Sequence, residues 1–136
     1  MSLNDIPIQT ETTRTRNLLP VMHEIRHALA ELVEHGTQNI IDLHSLPFSA
    51  QELAELEEFL GEGEIDLTLN VLGHTRIRES SYSGVWRIEH MDDNDKRIGY
   101  FIEIGLVPEI LRSQCDDIKE GLAAMTTILS MQEEPG

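Results

Sequence analysis

The sequence predicts an α+β fold in which an antiparallel β-sheet meander packs against amphipathic helices, and three observations carry that prediction. Apolar residues recur at helical spacing from Asn17 to His35, they alternate strictly with polar ones from Glu64 to Leu72, and three further strand-like runs follow with turn residues between them. A length of 136 residues is that of one ordinary domain, so a single core is expected.

In the first helix, Leu18, Val21, Met22, Ile25, Leu29, Leu32 and Val33 form one stripe, and Gly36 is placed to end it. Asn39 to Leu43 reads as a short strand, with Pro47 closing the link to a second helix. There Ser49 and Glu52 have capping-box spacing, and Leu53, Leu56, Phe59 and Leu60 are the apolar side before Gly61. Ile65, Leu67, Leu69 and Val71 then face one way, while Asp66, Thr68 and Asn70 face the other. The runs Thr75 to Ser81, Val85 to Met91 and Arg97 to Val107 are divided by Gly84 and by Asp92-Asp93-Asn94-Asp95, so the strands form a meander. Pro108 to Leu111 reads as a short helical turn. A last helix, from about Asp116 to Ser130, turns Ile118, Leu122, Met125 and Leu129 toward the core. Residues 1–16 are expected to be a mobile lead-in, 17–131 the folded region and 132–136 a tail.

Asp and Glu number 25 against 10 Lys and Arg, and the net charge of −15 repels a phosphate backbone. Nucleic acid is thereby excluded as a partner; the acidic surface reads first as one that keeps a protein soluble, and second as a field that favours a polypeptide bearing basic patches. The apolar runs are too short to span a bilayer, so no membrane insertion is expected. A lone cysteine, Cys115, excludes an internal disulfide, and no secretory leader opens the sequence; both point to the cytoplasm. Cys115 itself has no recognisable base partner and reads as an inert residue at a helix entrance.

His23-Glu24-Ile25-Arg26-His27 fits H-E-x-x-H, which sets two zinc ligands one helical turn apart beside a glutamate general base. Helical arithmetic puts His23 and His27 opposite the apolar stripe, and none of His44, His74 and His90 has the spacing of a third ligand. A small zinc-dependent hydrolase using His23, His27 and Glu24 is therefore the alternative reading rather than the leading one. Gly61-Glu62-Gly63 lies between a helix and a strand, the reverse of a phosphate-binding loop. Trp86, among few aromatics, is either a core residue or an interface anchor.

Several segments together carry a resemblance. Leu19-Pro20-Val21-Met22-His23-Glu24-Ile25-Arg26-His27-Ala28-Leu29, Ile41-Asp42-Leu43-His44-Ser45-Leu46-Pro47, Leu60-Gly61-Glu62-Gly63-Glu64, Gly84-Val85-Trp86, and Ile102-Glu103-Ile104 through Val107-Pro108-Glu109-Ile110-Leu111 resemble, in that order, the conserved region of the HupH/HyaF hydrogenase expression proteins. The resemblance runs from about residue 17 to 130. It implies a non-catalytic accessory protein, without cofactor, in nickel–iron hydrogenase maturation, whose partners are the hydrogenase small-subunit precursor and other maturation proteins. Trp86, Arg87, Glu103, Pro108 and Glu109 lie in the most family-like segments and are the expected partner contacts. Members of the family are commonly longer, with a related region in each half, so pairing of this chain as a homodimer is also expected. A generic interaction domain with no hydrogenase connection is the remaining alternative.

Overall fold

The computed structural model describes residues 17–70, 73–113 and 115–133, and the expected lead-in over 1–16, positions 71 and 72 of the predicted strand, and the end of the expected tail lie outside them. Helix α1 spans Leu18–His35. Pro20 sits in its first turn, where a backbone N–H has no intrahelical partner to lose. Val21, Ile25 and Ala28 are its buried stripe. Gly36 ends it in the left-handed conformation (φ 70°) with its N–H on the Leu32 carbonyl at 2.9 Å, a conformation that glycine adopts without steric penalty.

Strand β1 (Asn39–Asp42) follows, and the Asp42 carboxylate accepts the backbone N–H groups of His44 and Ser45 to turn the chain. Helix α2 (Ala50–Leu60) opens on the capping box read from the sequence. Ser49 Oγ accepts the Glu52 N–H and Glu52 Oε1 accepts the Ser49 N–H, both at 3.1 Å. Leu56 and Leu60 are fully buried on its inner side.

Strands β2 (Asp66–Asn70), β3 (His74–Glu79), β4 (Val85–Met91) and β5 (Arg97–Ile104) form the expected antiparallel meander. β1 adds to its far side, so the sheet order is β1-β5-β4-β3-β2. The register settles which residues share a face, because directly opposed residues lie on the same side. Val85 opposes Ile104, Arg87 opposes Ile102 and Glu89 opposes Tyr100, while Ile41 opposes Ile102. This face carries Val85, Tyr100, Ile102, Ile104 and Ile41, which form one core with the stripes of α1 and α2. On the other face Trp86 opposes Glu103, Ile88 opposes Phe101, and Ile77 opposes Ile88. Ile77, Trp86, Ile88 and Glu103 are buried as well. The middle of the sheet is thus closed on both faces.

The described residues divide after Leu106 into two compact units. The second contains a 3₁₀ turn, Glu109–Leu111, and helix α3, Cys115–Glu133. The helix continues three residues past the predicted end at Ser130. The expectation that Ile118, Leu122, Met125 and Leu129 face a core is corrected: all four are exposed. Their spacing does mark one apolar stripe, but periodicity reports which side is apolar and carries no information on what lies against it.

Candidate docking site

The surface of the first unit is built around the turn between β3 and β4. Ser80 and Val85 close that turn through Ser80 N–H to the Val85 carbonyl at 3.0 Å, and Ser80 Oγ both donates to the Tyr82 carbonyl and accepts the Tyr82 N–H. Ser81 donates its N–H and its hydroxyl to the carbonyl of Leu60, the last residue of α2. The next turn of chain passes close by, since a Cβ on Gly63 would lie 2.5 Å from the Ser80 carbonyl oxygen. α2, its exit loop and the turn are therefore one rigid joint.

Two concave surfaces take lining residues from this turn. The first is an apolar groove of about 400 Å³ walled by Leu19, Met22, Ile25 and Leu29 of α1, Phe59 of α2, and Tyr82 and Val85, with His23 and Arg26 bordering it on α1. Leu19, Phe59 and Tyr82 are exposed, and the Phe59 and Tyr82 rings pack in a tilted pair, 5.5 Å between centroids. The second, of about 500 Å³, is polar and is lined by Glu62, Gly63, Glu64, Glu79, Ser80, Ser81 and Ser83. Tyr82 belongs to the groove and both its neighbours belong to the polar pocket. The two linings thus alternate along the turn from Ser80 to Ser83.

Beneath the joint, on the helix-facing side of the sheet, lies a network of charges. Arg78 pairs with Glu89, and Arg97 reaches the other Glu89 oxygen at 3.2 Å. Arg87, whose side chain is 3% exposed, donates to the Gly61 carbonyl at 3.3 Å and lies 3.6 Å from the Glu62 carboxylate. Arg97 also stacks over the Tyr100 ring, and the Tyr100 hydroxyl donates to Glu57 Oε2 at 2.7 Å. Burial, and then that carboxylate, push the Tyr100 phenol well above its ordinary value, which keeps it a protonated donor. At the outer edge Asp66 holds Arg76 in a two-bonded pair, and the hydrogen bond from Arg76 keeps the Asp66 carboxyl below its ordinary value. The network ties β2, β3, β4, β5 and the end of α2 together.

The structure places the other residues singled out in the sequence as follows. His23, Glu24 and His27 are exposed on α1, as the helical arithmetic requires. Among the described residues neither histidine has two further ligand-type groups gathered with it, and the grouping that does occur is Glu31, Glu34 and His35, on the surface. Trp86 is 6% exposed and its indole N–H donates to the Gly105 carbonyl at 3.2 Å. Arg87 and Glu103 are buried in the sheet, and Pro108 is fully buried. Glu109 is exposed and lies 3.5 Å from Arg112. Cys115 is exposed at the first position of α3. Sequence reasoning missed the groove, whose walls come from α1, α2 and a turn far apart in the chain. Its one local signal was Tyr82, a large aromatic set in a Ser/Gly turn.

Comparison with known proteins gives the chain relatives of one kind. Residues 15–132 match the family model described as HupH hydrogenase expression protein, C-terminal conserved region. The hydrogenase expression/formation protein HupQ of Azotobacter chroococcum is 30% identical over 114 residues, 82% of this chain and 40% of that protein. HoxQ of Azotobacter vinelandii, of the same description, is 27% identical over 82% of this chain and 40% of its own length. The chain therefore spans about 40% of the length of these curated relatives. Among solved structures, the hydrogenase expression protein HupH from Thiobacillus denitrificans superimposes with a TM-score of 0.80 at 34% identity, over 86% of this chain and 98% of that one.

Proposed function

Because the chain belongs to the family of HupH hydrogenase expression proteins, we propose that it is a non-catalytic accessory protein of nickel–iron hydrogenase maturation that binds the hydrogenase small-subunit precursor in the cytoplasm. The observation that supports a binding role is the open apolar groove beside a rigid turn, with Leu19, Phe59 and Tyr82 presented to solvent. Exposed aromatic side chains on a fixed scaffold lose little conformational freedom when a partner covers them. The closed centre of the sheet leaves such edges and turns as the surface to be used.

The five contacts that the resemblance implies divide by exposure. Glu109 reaches solvent and takes a direct contact. Trp86, Arg87, Glu103 and Pro108 are inside, and they support the fold rather than touch a partner. The test is co-purification of the full chain with the small-subunit precursor from cells producing both. Retention of the precursor supports the reading. Purified, folded proteins that fail to associate at low salt overturn it.

A further inference from the structure

We propose that the apolar groove and the acidic pocket form one docking surface, whose occupant is a segment of a partner polypeptide carrying apolar side chains next to lysine or arginine. The inference rests on the reading that this chain binds a protein, and it adds the chemistry of what is bound.

The turn common to both linings is the first support. Tyr82 lies against Phe59 in the groove, while Ser81 and Ser83 on either side of it line the pocket with Glu62, Glu64 and Glu79. Since Ser81 is bonded twice to Leu60, the relation between the two halves is fixed before anything binds. A segment whose apolar side chains cover Tyr82 therefore lies on the turn that also lines the pocket of Glu62, Glu64 and Glu79.

Charge decides among occupants. Glu62 is only loosely countered, by Arg78 at 3.7 Å and Arg87 at 3.6 Å, and its side chain is largely exposed. Glu64 is exposed, with its backbone N–H on Glu79 Oε1. His23 and Arg26 border the groove on α1, which leaves the negative side at the turn and sets the direction in which a basic segment lies. A second copy of this chain would bring another net charge of −15 to the same surface, and like charges brought together oppose association. A partner with basic residues beside apolar ones is drawn in by the same field.

The probe is a short fluorescein-labelled peptide with three leucines followed by three lysines, titrated with the full chain by anisotropy. Its controls replace the lysines by glutamate or the leucines by serine. We expect each replacement to weaken binding about tenfold or more, equivalent to about 1.4 kcal/mol. Leu19→Glu, at an exposed groove position, should weaken the lysine peptide. The Glu62→Lys/Glu64→Lys variant should remove its advantage over the glutamate peptide and flatten its dependence on salt. Matched melting curves show that both variants are folded. Equal binding of the lysine and glutamate peptides, or variants within about twofold of the parent, overturns the proposal. So does a dimer in sedimentation that Leu19→Glu dissolves, because the groove then holds a second copy. If the precursor binds and the peptide neither binds nor competes with it, this inference fails while the binding function stands; if the precursor does not bind, the function fails with it.

Discussion

Ser81 donates both its backbone N–H, at 2.8 Å, and its hydroxyl, at 2.9 Å, to the carbonyl oxygen of Leu60, and so fastens the end of α2 to the turn between β3 and β4. A carbonyl at a helix end has no intrahelical partner, and here two donors from one residue supply it. The intervening Gly61 has φ 64°, and a Cβ there would lie 2.8 Å from Ser81 Oγ. Ser81→Ala keeps the backbone bond and loses the hydroxyl, so a cost of about 1 kcal/mol in denaturant unfolding is expected. Gly61→Ala adds backbone strain to a collision and should cost more. The reverse order would mean that the hydroxyl, and not the backbone, fixes the joint.

The charge network predicts a larger effect. Removing one member of a buried pair leaves its partner charged and desolvated, which costs about 3–5 kcal/mol. Glu89 accepts from both Arg78 and Arg97. Glu89→Gln should therefore destabilise by about 3 kcal/mol in urea unfolding, and Arg78→Met/Glu89→Leu should recover much of that loss. A Glu89→Gln melt unchanged from the parent would show that water screens the pair.

Much of this was legible in the sequence, and the boundary is physical. The capping box at Ser49 and Glu52, the stop at Gly36, the polar position of His23 and His27, and the order of the meander strands are local signals, and each is present. Arg78, Arg87 and Glu89 are charged residues within strand runs, yet their side chains lie largely inside, because their neutralising partners come from another strand or from the loop after α2. Trp86 left a choice between core and anchor that composition had no means to make. The groove depends on Tyr82 meeting Phe59 across 23 residues of chain, a contact that no spacing rule encodes.

Tyr100 predicts a pH dependence at the alkaline end. Its phenol ionises at about pH 10 in the unfolded chain, whereas burial and the Glu57 carboxylate hold it protonated in the fold. Above that pH the unfolded state binds fewer protons than the folded one, so stability, fully present below about pH 10, is lost as the pH rises toward the folded value. Tyr100→Phe, though less stable at neutral pH, should show a smaller fall between neutral and alkaline unfolding curves. Parallel curves for the two proteins would rule this linkage out.

His23 and His27 are exposed on the polar side of α1. Substitutions at such positions usually change stability by less than about 0.5 kcal/mol, and the double alanine variant should melt with the parent. Metal analysis of protein purified without a metal-affinity step tests the zinc alternative on the same pair. Stoichiometric zinc lost in His23→Ala would favour the hydrolase over the accessory protein.

The proposed binding of the small-subunit precursor predicts a particular dependence on salt. A net charge of −15 steers a basic partner over distances that are screened beyond about 8 Å at physiological ionic strength, so added salt should slow association more than it hastens release. Stopped-flow association and dissociation rates at two salt concentrations separate these effects. Trp86 then distinguishes contact from support. Its ring is buried and its indole N–H is bonded to the Gly105 carbonyl, so Trp86→Ala should lower unfolding stability by about 3–5 kcal/mol. At a temperature where the variant remains folded, its affinity should stay within about twofold of the parent, since a residue inside the sheet meets no partner. A loss of about 2 kcal/mol or more in binding, with the melt unchanged, would instead make Trp86 an interface anchor that is uncovered when the precursor arrives.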